Sequence, residues 1–86
     1  KTWCVYMHTN KINNKKYIGI SSNIKSRWKG NGAEYKRQVI GRAIKKYGWD
    51  NFEHDILFEN LSQEEAEKKE IEMISYYQSN NNSILN

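Results

Sequence analysis

The first twenty residues contain two short runs of strand-forming residues, separated by a polar stretch that suits a turn. Residues 3–9 and 16–20 are rich in aromatic and other β-forming side chains. Residues 10–15 include the pair Asn13-Asn14, and asparagine tolerates the left-handed backbone conformation of tight turns. The pattern predicts a β-hairpin, so the chain begins with sheet rather than with a helix.

A short helix is predicted directly after the hairpin. Residues 21–23 (Ser-Ser-Asn) offer side chains that cap the start of a helix. Ile24 and Trp28 follow four residues apart, which is the spacing of one helix face. Gly30 and Gly32 then end the helix.

The remaining chain predicts a second helix, a third strand and a last helix. The second helix covers residues 36–47, and its apolar stripe consists of Val39, Ile40, Ala43, Ile44 and Tyr47. Residues 52–59 alternate as a strand does, and one face carries Phe52, His54, Ile56 and Phe58. Ser62 and Glu65 form a capping box, from which the last helix runs to about Gln78.

The predicted element order is β-β-α-α-β-α. This order indicates a small α/β domain of the α+β type, with a mainly antiparallel three-stranded sheet flanked by helices. A chain of 86 residues accommodates one domain, so we assign residues 1–86 to a single unit. No apolar run approaches the roughly 20 residues of a membrane span, so no membrane partner is expected. The single cysteine, Cys4, and the lack of a signal-peptide pattern favour an intracellular location, cytoplasmic or nucleoid-associated.

Positive and negative charges are unevenly distributed along the chain. Residues 1–50 contain 12 lysines and arginines against two acidic residues, a net charge of +10. Residues 51–86 contain two lysines against eight acidic residues, a net charge of −6. A basic segment of this kind favours a polyanionic partner. Solvated helix faces that differ in sign by chance would give the same counts, and composition alone does not separate the two interpretations.

Glu70 stands out on the predicted last helix. Successive helical residues turn by about 100°, so one face of this helix carries Ala66, Met73, Ile74 and Tyr77. Glu70 lies in the middle of that apolar face, whereas Glu72 points the opposite way. An ionised carboxylate is costly to bury without a partner. Glu70 is therefore either paired with an arginine or lysine at the edge of the core, or a metal ligand or catalytic carboxylate.

Three residues of the basic half complete a candidate site with Glu70. Arg27 lies beside the apolar face of its helix, where it acts either as a phosphate clamp or as an edge residue that covers Trp28. Tyr6 and Tyr17 lie on adjacent predicted strands, where pairs of tyrosines are common as simple packing. Taken together, the two phenols, the guanidinium and the carboxylate suggest a catalytic site.

Other catalytic motifs are absent or out of place. His8 and His54 are too few for a histidine-rich metal site, and His54 is expected in the core or at an edge. The spacing of Asp55, Glu67 and Lys69 is similar to the D…E-x-K pattern of some nucleases. That pattern needs its E-x-K on a strand, whereas these residues fall on a predicted helix. No Walker loop, dinucleotide-binding loop, nucleophile elbow or Cys-x-x-Cys pair is present.

The spaced set of residues resembles the GIY-YIG nuclease family. Residues 17–19 (Tyr-Ile-Gly) match the second half of the family's motif pair. Residues 4–6 (Cys-Val-Tyr) stand in the place of the first half and keep its tyrosine, Tyr6. Arg27 follows ten residues after Tyr17, where the family carries its arginine.

The second half of the chain continues the resemblance. Residues 70–74 (Glu-Ile-Glu-Met-Ile) resemble the family's E-x-x-[LW]-I stretch, which assigns the metal-binding role to Glu70. The family usually ends its core with a Tyr-Asn pair, and Leu85-Asn86 stands in that place. Asn86 is therefore the expected counterpart of the family's asparagine, with Asn82 as the alternative.

The resemblance implies hydrolysis of phosphodiester bonds in DNA with one divalent metal ion, Mg²⁺ or Mn²⁺. Glu70 would hold the metal, and Arg27 would clamp a phosphate oxygen and stabilise the transition state. Tyr6 would accept a proton from the attacking water, a role for which nearby cations must lower the pKa of its phenol. Tyr17 would hydrogen-bond the water or the phosphate, and Asn86 would position a neighbouring group or bind phosphate.

The resemblance also implies a set of DNA contacts. The cations expected to contact the DNA backbone without reading its sequence are Lys25, Lys29, Lys36, Arg37, Arg42, Lys45 and Lys46. Many family members carry a His or Tyr several residues after the arginine. Tyr35 is the first phenol available for that position and is grouped with the nucleic-acid-binding residues.

Two functions of other classes stay open. A non-catalytic nucleic-acid-binding module with the same fold would bind DNA without cleaving it in any divalent ion. A protein-interaction domain, docking a basic partner on the acidic last helix, would bind DNA weakly or without salt dependence. A chain of this length has little room for a specificity domain, so an additional DNA-binding domain is expected in a longer native chain; the oligomeric state is not predicted.

Overall fold

The computed structural model describes residues 1–35, 38–81 and 84–85. In chain order the strands and helices are β1 (Trp3–Asn10), β2 (Lys16–Ser21), α1 (Ile24–Gly32), α2 (Val39–Tyr47), β3 (Phe52–Leu61) and α3 (Gln63–Asn81). Short 3₁₀ turns follow α1 at Ala33–Tyr35 and α2 at Trp49–Asn51. The order β-β-α-α-β-α and the α+β class are those that the sequence predicts.

The three strands form one antiparallel sheet in the order β2-β1-β3, with β1 in the centre. The hairpin turn between β1 and β2 places Asn14 at a φ of 62°, the left-handed conformation that asparagine tolerates. Tyr6 pairs with Gly19 and His8 pairs with Tyr17. Because directly paired residues project from the same side of a sheet, Tyr6, His8 and Tyr17 share one face.

Helices cover both faces of the sheet, and each face has its own hydrophobic cluster. The face covered by α1 and α2 buries Cys4, Tyr6, Tyr35, Ile40 and Phe52. The face covered by α3 buries Val5, Met7, Ile18 and Ala66. The alternation of side chains along β1 therefore decides which helices each of its residues meets.

One part of the strand prediction is wrong at the far end of β3. The sequence alternation assigned Phe58 to the same face as Ile56. In the structure, Val5 pairs with Phe58 and the next residue, Tyr6, pairs with Ile56. Leu57 is therefore an extra residue on β3, and the resulting β-bulge reverses the alternation. Phe58 consequently packs against the cluster under α3.

The ends of α1 and α2 refine the predicted helices. The last residues of α1 leave helical geometry, with Gly30 at a φ of 61°, as a glycine stop predicts. Helix α2 begins at Val39, because Gln38 is extended, rather than at residue 36. Lys36 and Arg37, which the sequence assigned to this helix, lie outside the described residues.

The capping box of α3 is confirmed. The Ser62 Oγ accepts a hydrogen bond from the Glu65 N–H at 3.1 Å, and the Glu65 Oε1 accepts one from the Ser62 N–H at 2.9 Å. The helix then turns Ala66 completely into the core and leaves Glu72 exposed, as the periodicity predicts. Among the helices of the described ranges, none is long and apolar enough to cross a bilayer.

Candidate active site

Four predicted site residues come from four different elements. Tyr6 lies on β1, Tyr17 on β2, Arg27 on α1 and Glu70 on α3. Burial raises the pKa of both phenols; in addition, the charge of Arg27 lowers both pKa values and the charge of Glu70 raises them. Arg27 also hydrogen-bonds the Tyr6 side chain. The fold thus places the guanidinium and the carboxylate each within electrostatic range of the two phenols, beside the edge strand β2.

Gly19 provides the space for the Tyr6 ring. Tyr6 is only 1% exposed, and its phenol lies across the backbone of Gly19 on the neighbouring strand. A Cβ atom at position 19 would lie 2.6 Å from Cζ of Tyr6, far inside van der Waals contact. The glycine is therefore required by the close approach of the ring.

Tyr17 and Arg27 are both half-buried in the candidate site. The Tyr17 hydroxyl donates a hydrogen bond to Oε1 of Gln38 at 2.9 Å. Burial, followed by the neighbouring Tyr6 phenol, raises the pKa of Tyr17 to about 12, so this phenol is a hydrogen-bond donor at neutral pH. The Arg27 guanidinium lies 6.0 Å from the centre of the Tyr35 ring, within the range of a cation–π contact.

Glu70 is half-buried on the sheet side of α3. Burial raises the pKa of its carboxyl group, and the charge of the nearby Glu67 raises it further. Across residues 1–35, 38–81 and 84–85, no ion pair joins this carboxylate to a cation. Glu72, by contrast, is exposed and forms an ion pair with Lys69 at 3.6 Å. Only one of the two neighbouring glutamates therefore needs a positive charge that the described chain does not supply.

The Glu70 carboxylate suits a hard divalent cation that keeps most of its water ligands. In the described part of the chain, no three His, Cys, Asp or Glu side chains assemble into a metal cage. Mg²⁺ is commonly held by one or two carboxylates together with water and substrate phosphates. A single desolvated carboxylate suits that mode of binding, and Glu70 is the residue that would hold the ion.

The other predicted residues divide into three groups. The exposed cations on α1 and α2 are Lys25, Lys29, Arg42, Lys45 and Lys46. Tyr35, grouped with these cations in the sequence, has no exposed surface and packs against Tyr6 with ring centroids 6.4 Å apart. The residues that lie outside the described part of the chain are Lys36, Arg37, Asn86 and its alternative Asn82.

Sequence reasoning missed a line of polar side chains behind Tyr6. His8 is completely buried; its Nδ1 lies 2.9 Å from Nδ1 of His54, and its Nε2 lies 3.0 Å from Oη of Tyr35. Nε2 of His54 lies 3.1 Å from the carbonyl oxygen of Trp49. The spacing of Tyr6 and His8 on one strand face was visible in the sequence. Their connection to His54 depends on strand register, which the sequence did not reveal.

Comparison with known proteins identifies the family of this chain. A family model described as the GIY-YIG catalytic domain matches residues 2–83. The chain belongs to the GIY-YIG family. The match confirms the family resemblance that the sequence suggests.

The relatives of this GIY-YIG domain include longer phage proteins. It is 44% identical over 73 residues to segE and 35% identical over 75 residues to segD, both named as candidate endonucleases of Enterobacteria phage T4. The matches cover 83% and 85% of this chain but 33% and 31% of segE and segD, so the chain spans about a third of their length. The catalytic domain of the homing endonuclease I-TevI has the same fold, with a TM-score of 0.71 over 98% of each chain at 23% identity.

Proposed function

We propose that residues 1–86 form one nuclease domain, which hydrolyses DNA phosphodiester bonds with a single divalent metal ion held by Glu70. Membership of the GIY-YIG family and the names of segE and segD support endonuclease activity. The observation that carries the proposal is the half-buried Glu70 carboxylate. Its charge raises the pKa of both Tyr6 and Tyr17, and it has no cation partner among the described residues. A desolvated charge of this kind destabilises a fold unless a ligand supplies its partner.

We assign one role in the reaction to each residue of the site. Mg²⁺ or Mn²⁺ at Glu70 would stabilise the negative charge that develops on the phosphate. Arg27 offers a rigid pair of donors for a phosphate oxygen, and Tyr6 accepts the proton of the attacking water. Tyr17 stays protonated at neutral pH because its pKa is raised to about 12, and it would turn its O–H from Gln38 to the water or to the phosphate. Asn86 positions a neighbouring group or binds phosphate.

DNA would approach the surface formed by α1 and α2. The cations proposed to contact its backbone are Lys25, Lys29, Lys36, Arg37, Arg42, Lys45 and Lys46. Such contacts fix the position of the duplex but do not read its sequence. Since the chain spans about a third of segE and segD, we assign sequence recognition to an additional DNA-binding domain in a longer native protein.

Nicking of supercoiled plasmid tests the metal assignment with two matched variants. Glu70→Gln removes the charge and keeps the shape of the side chain, and Glu72→Gln makes the same change two residues away on the exposed face. Wild type and Glu72→Gln should nick the plasmid in Mg²⁺ or Mn²⁺ but not in EDTA. Glu70→Gln should be slower by about 10²-fold or more, because the charge stabilisation supplied by a metal is worth several kcal/mol.

Two outcomes would contradict the proposal in different ways. Equal nicking by wild type and Glu70→Gln would remove the metal from Glu70. Binding of DNA by wild type without cleavage in any divalent ion would identify a binding module instead of an enzyme. Arg27→Ala should reduce the cleavage rate more than the affinity for DNA, because its contact strengthens in the transition state; a loss of affinity alone would make Arg27 a docking residue.

A further inference from the structure

A line of hydrogen bonds connects the backbone beyond α2 to the Tyr6 phenol. The Trp49 carbonyl oxygen lies 3.1 Å from Nε2 of His54, and Nδ1 of His54 lies 2.9 Å from Nδ1 of His8. Nε2 of His8 lies 3.0 Å from Oη of Tyr35. The side chains of Tyr35 and Tyr6 are hydrogen-bonded to each other. We refer to Tyr35, His8 and His54 as the buried chain.

The Trp49 carbonyl fixes the direction of every hydrogen bond in the buried chain. A carbonyl only accepts, so His54 donates from Nε2, and the neutral ring keeps Nδ1 as an acceptor. His8 therefore donates from Nδ1 and accepts at Nε2. Tyr35 donates to that nitrogen, which leaves only lone pairs on its oxygen. The O–H of Tyr6 must then point at Tyr35, into the protein.

The surroundings of His8 keep its ring neutral. The aromatic rings within 5.5 Å of its centroid are those of Tyr6, Trp28, Tyr35, Trp49 and His54, and none of these carries a charge when His54 is neutral. Burial, followed by the charge of a protonated His54, lowers the pKa of His8 to about 3. At neutral pH the donor and acceptor nitrogens of this ring are therefore set by its neighbours.

His54 is the outer end of the buried chain. Its ring is half-buried and stacks on Trp49 with centroids 3.8 Å apart. Burial lowers its pKa, and Lys11 adds to that effect, whereas the Trp49 carbonyl and the carboxylates of Asp55 and Asp50 act in the opposite direction. A positive charge is thus better tolerated on His54 than on the completely enclosed His8.

We propose that the buried chain positions Tyr6 as a neutral general base and takes up the proton that Tyr6 gives up. The inference rests on the nuclease function proposed above. Because the O–H of Tyr6 points inward, the lone pairs of its oxygen are free for the Arg27 guanidinium and the attacking water. Tyr35, His8 and His54 touch neither DNA nor water nucleophile in this scheme, so they are positioning residues.

The proton transfer balances along the buried chain. As the water oxygen bonds to phosphorus, one of its O–H bonds breaks and the proton moves to Oη of Tyr6. The original proton of Tyr6 moves to Oη of Tyr35, the proton of Tyr35 moves to Nε2 of His8, and the Nδ1 proton of His8 moves to Nδ1 of His54. Each side chain except His54 ends neutral, and His54 carries one positive charge until the protons return.

A preformed phenolate is the alternative way for Tyr6 to act as a base. Burial raises the pKa of Tyr6, and the charge of Arg27 opposes that increase without reversing it. The phenolate is therefore scarce in the described structure at neutral pH. A neutral phenol that passes its proton inward as it accepts another does not need to ionise first.

Nitrogen NMR of the wild-type protein tests the orientation of the buried chain without any substrate. In ¹⁵N-histidine-labelled protein at pH 7.5, we expect both rings to be neutral, with the proton on Nδ1 in His8 and on Nε2 in His54. His8→Asn and His54→Asn, each compared with wild type, assign the signals. A His8 ring protonated on Nε2, or a cationic ring, would overturn the proposal.

Single-turnover cleavage tests the catalytic part. Tyr35→Phe keeps the aromatic ring and breaks the connection between Tyr6 and His8. It should lower the cleavage rate by about 10- to 100-fold while leaving DNA affinity unchanged, because proton transfer by a positioned group contributes about 10²-fold or more. The cleavage rate of Tyr35→Phe should also rise with pH up to pH 9, because in this variant Tyr6 must ionise before it can accept a proton. The wild-type rate should be level above pH 7. The matched hydroxyl deletion on α3, Tyr76→Phe, should retain the wild-type rate and profile.

A second variant separates positioning from folding. His54→Asn offers an oxygen that accepts from Nδ1 of His8, so the His8 tautomer and the thermal unfolding midpoint should change little. The variant cannot carry the proton, so its rate should fall as in Tyr35→Phe. Folded Tyr35→Phe and His54→Asn proteins with the wild-type rate and pH profile would overturn the proposal. If wild type does not cleave DNA, the proposed function and the proton uptake both fail, and the nitrogen signals still decide the orientation.

Discussion

At the scale of single residues, Glu70 lowers the stability of the fold while supplying the carboxylate proposed to bind the metal ion. Its carboxylate is desolvated and has no cation partner in the described part of the chain, so ionisation costs more in the folded domain than in the unfolded one. Glu70→Gln should therefore raise the thermal unfolding midpoint in EDTA at pH 7, and Glu72→Gln should leave it nearly unchanged. Saturating Mg²⁺ should raise the midpoint of wild type but not of Glu70→Gln, because a ligand stabilises only the state that binds it.

The pH dependence of this gain follows from the sign of the shift. The pKa of Glu70 is raised above its unfolded value of 4.5, so between the two values the folded state binds more protons than the unfolded state. The stability of wild type falls as pH rises through that interval. The gain from Glu70→Gln is therefore complete above the raised pKa and absent below pH 4.5. His8, whose pKa of about 3 destabilises the fold in acid, is common to both proteins and cancels in the comparison. An equal gain at pH 3.5 and pH 7 would contradict desolvation of the Glu70 carboxylate as its cause.

At the scale of elements, the contact between β1 and β2 depends on Gly19. A Cβ atom there would lie 2.6 Å from Cζ of Tyr6, so Gly19→Ala forces the ring to move. We expect a loss of about 1–3 kcal/mol in the free energy of unfolding, measured with urea, and a loss of plasmid nicking. In a Tyr6→Ala background the same substitution should cost much less, because the ring that it displaces is absent. Equal costs in both backgrounds would mean that the backbone, not Tyr6, requires the glycine.

At this scale, the short-range features could be predicted from the sequence and the long-range ones could not. The hairpin turn, the capping box and the inward face of Glu70 arise from neighbours within four residues, and local periodicity was enough to find them. The bulge at Leu57 inserts one residue into β3, and alternation along a single strand contains no signal for it. The contact of His8 with His54 joins residues 46 positions apart and needs the register of β1 against β3. These long-range features determine the surroundings of Tyr6.

At the scale of the whole molecule, the two halves of the charge distribution lie on different elements. The exposed cations of α1 and α2 are Lys25, Lys29, Arg42, Lys45 and Lys46. On α3 the lysines are matched by acids, since Lys68 pairs with Glu64 and Lys69 pairs with Glu72, each at 3.6 Å. A polyanion is therefore attracted to one side of the domain and repelled by the outer side of α3.

This asymmetry predicts how salt weakens DNA binding. Each cation that neutralises a phosphate releases counterions and adds about 0.9 to the magnitude of the slope of log affinity against log salt concentration. Lys45→Ala should therefore reduce that slope by about 0.9, equally on two duplexes of unrelated sequence. Lys68→Ala removes the same charge from an exposed site on α3 and should leave the slope unchanged. Fluorescence anisotropy between 50 and 200 mM salt, in EDTA to prevent cleavage, measures all three proteins. If both variants lowered the slope equally, net charge rather than the surface of α1 and α2 would govern binding.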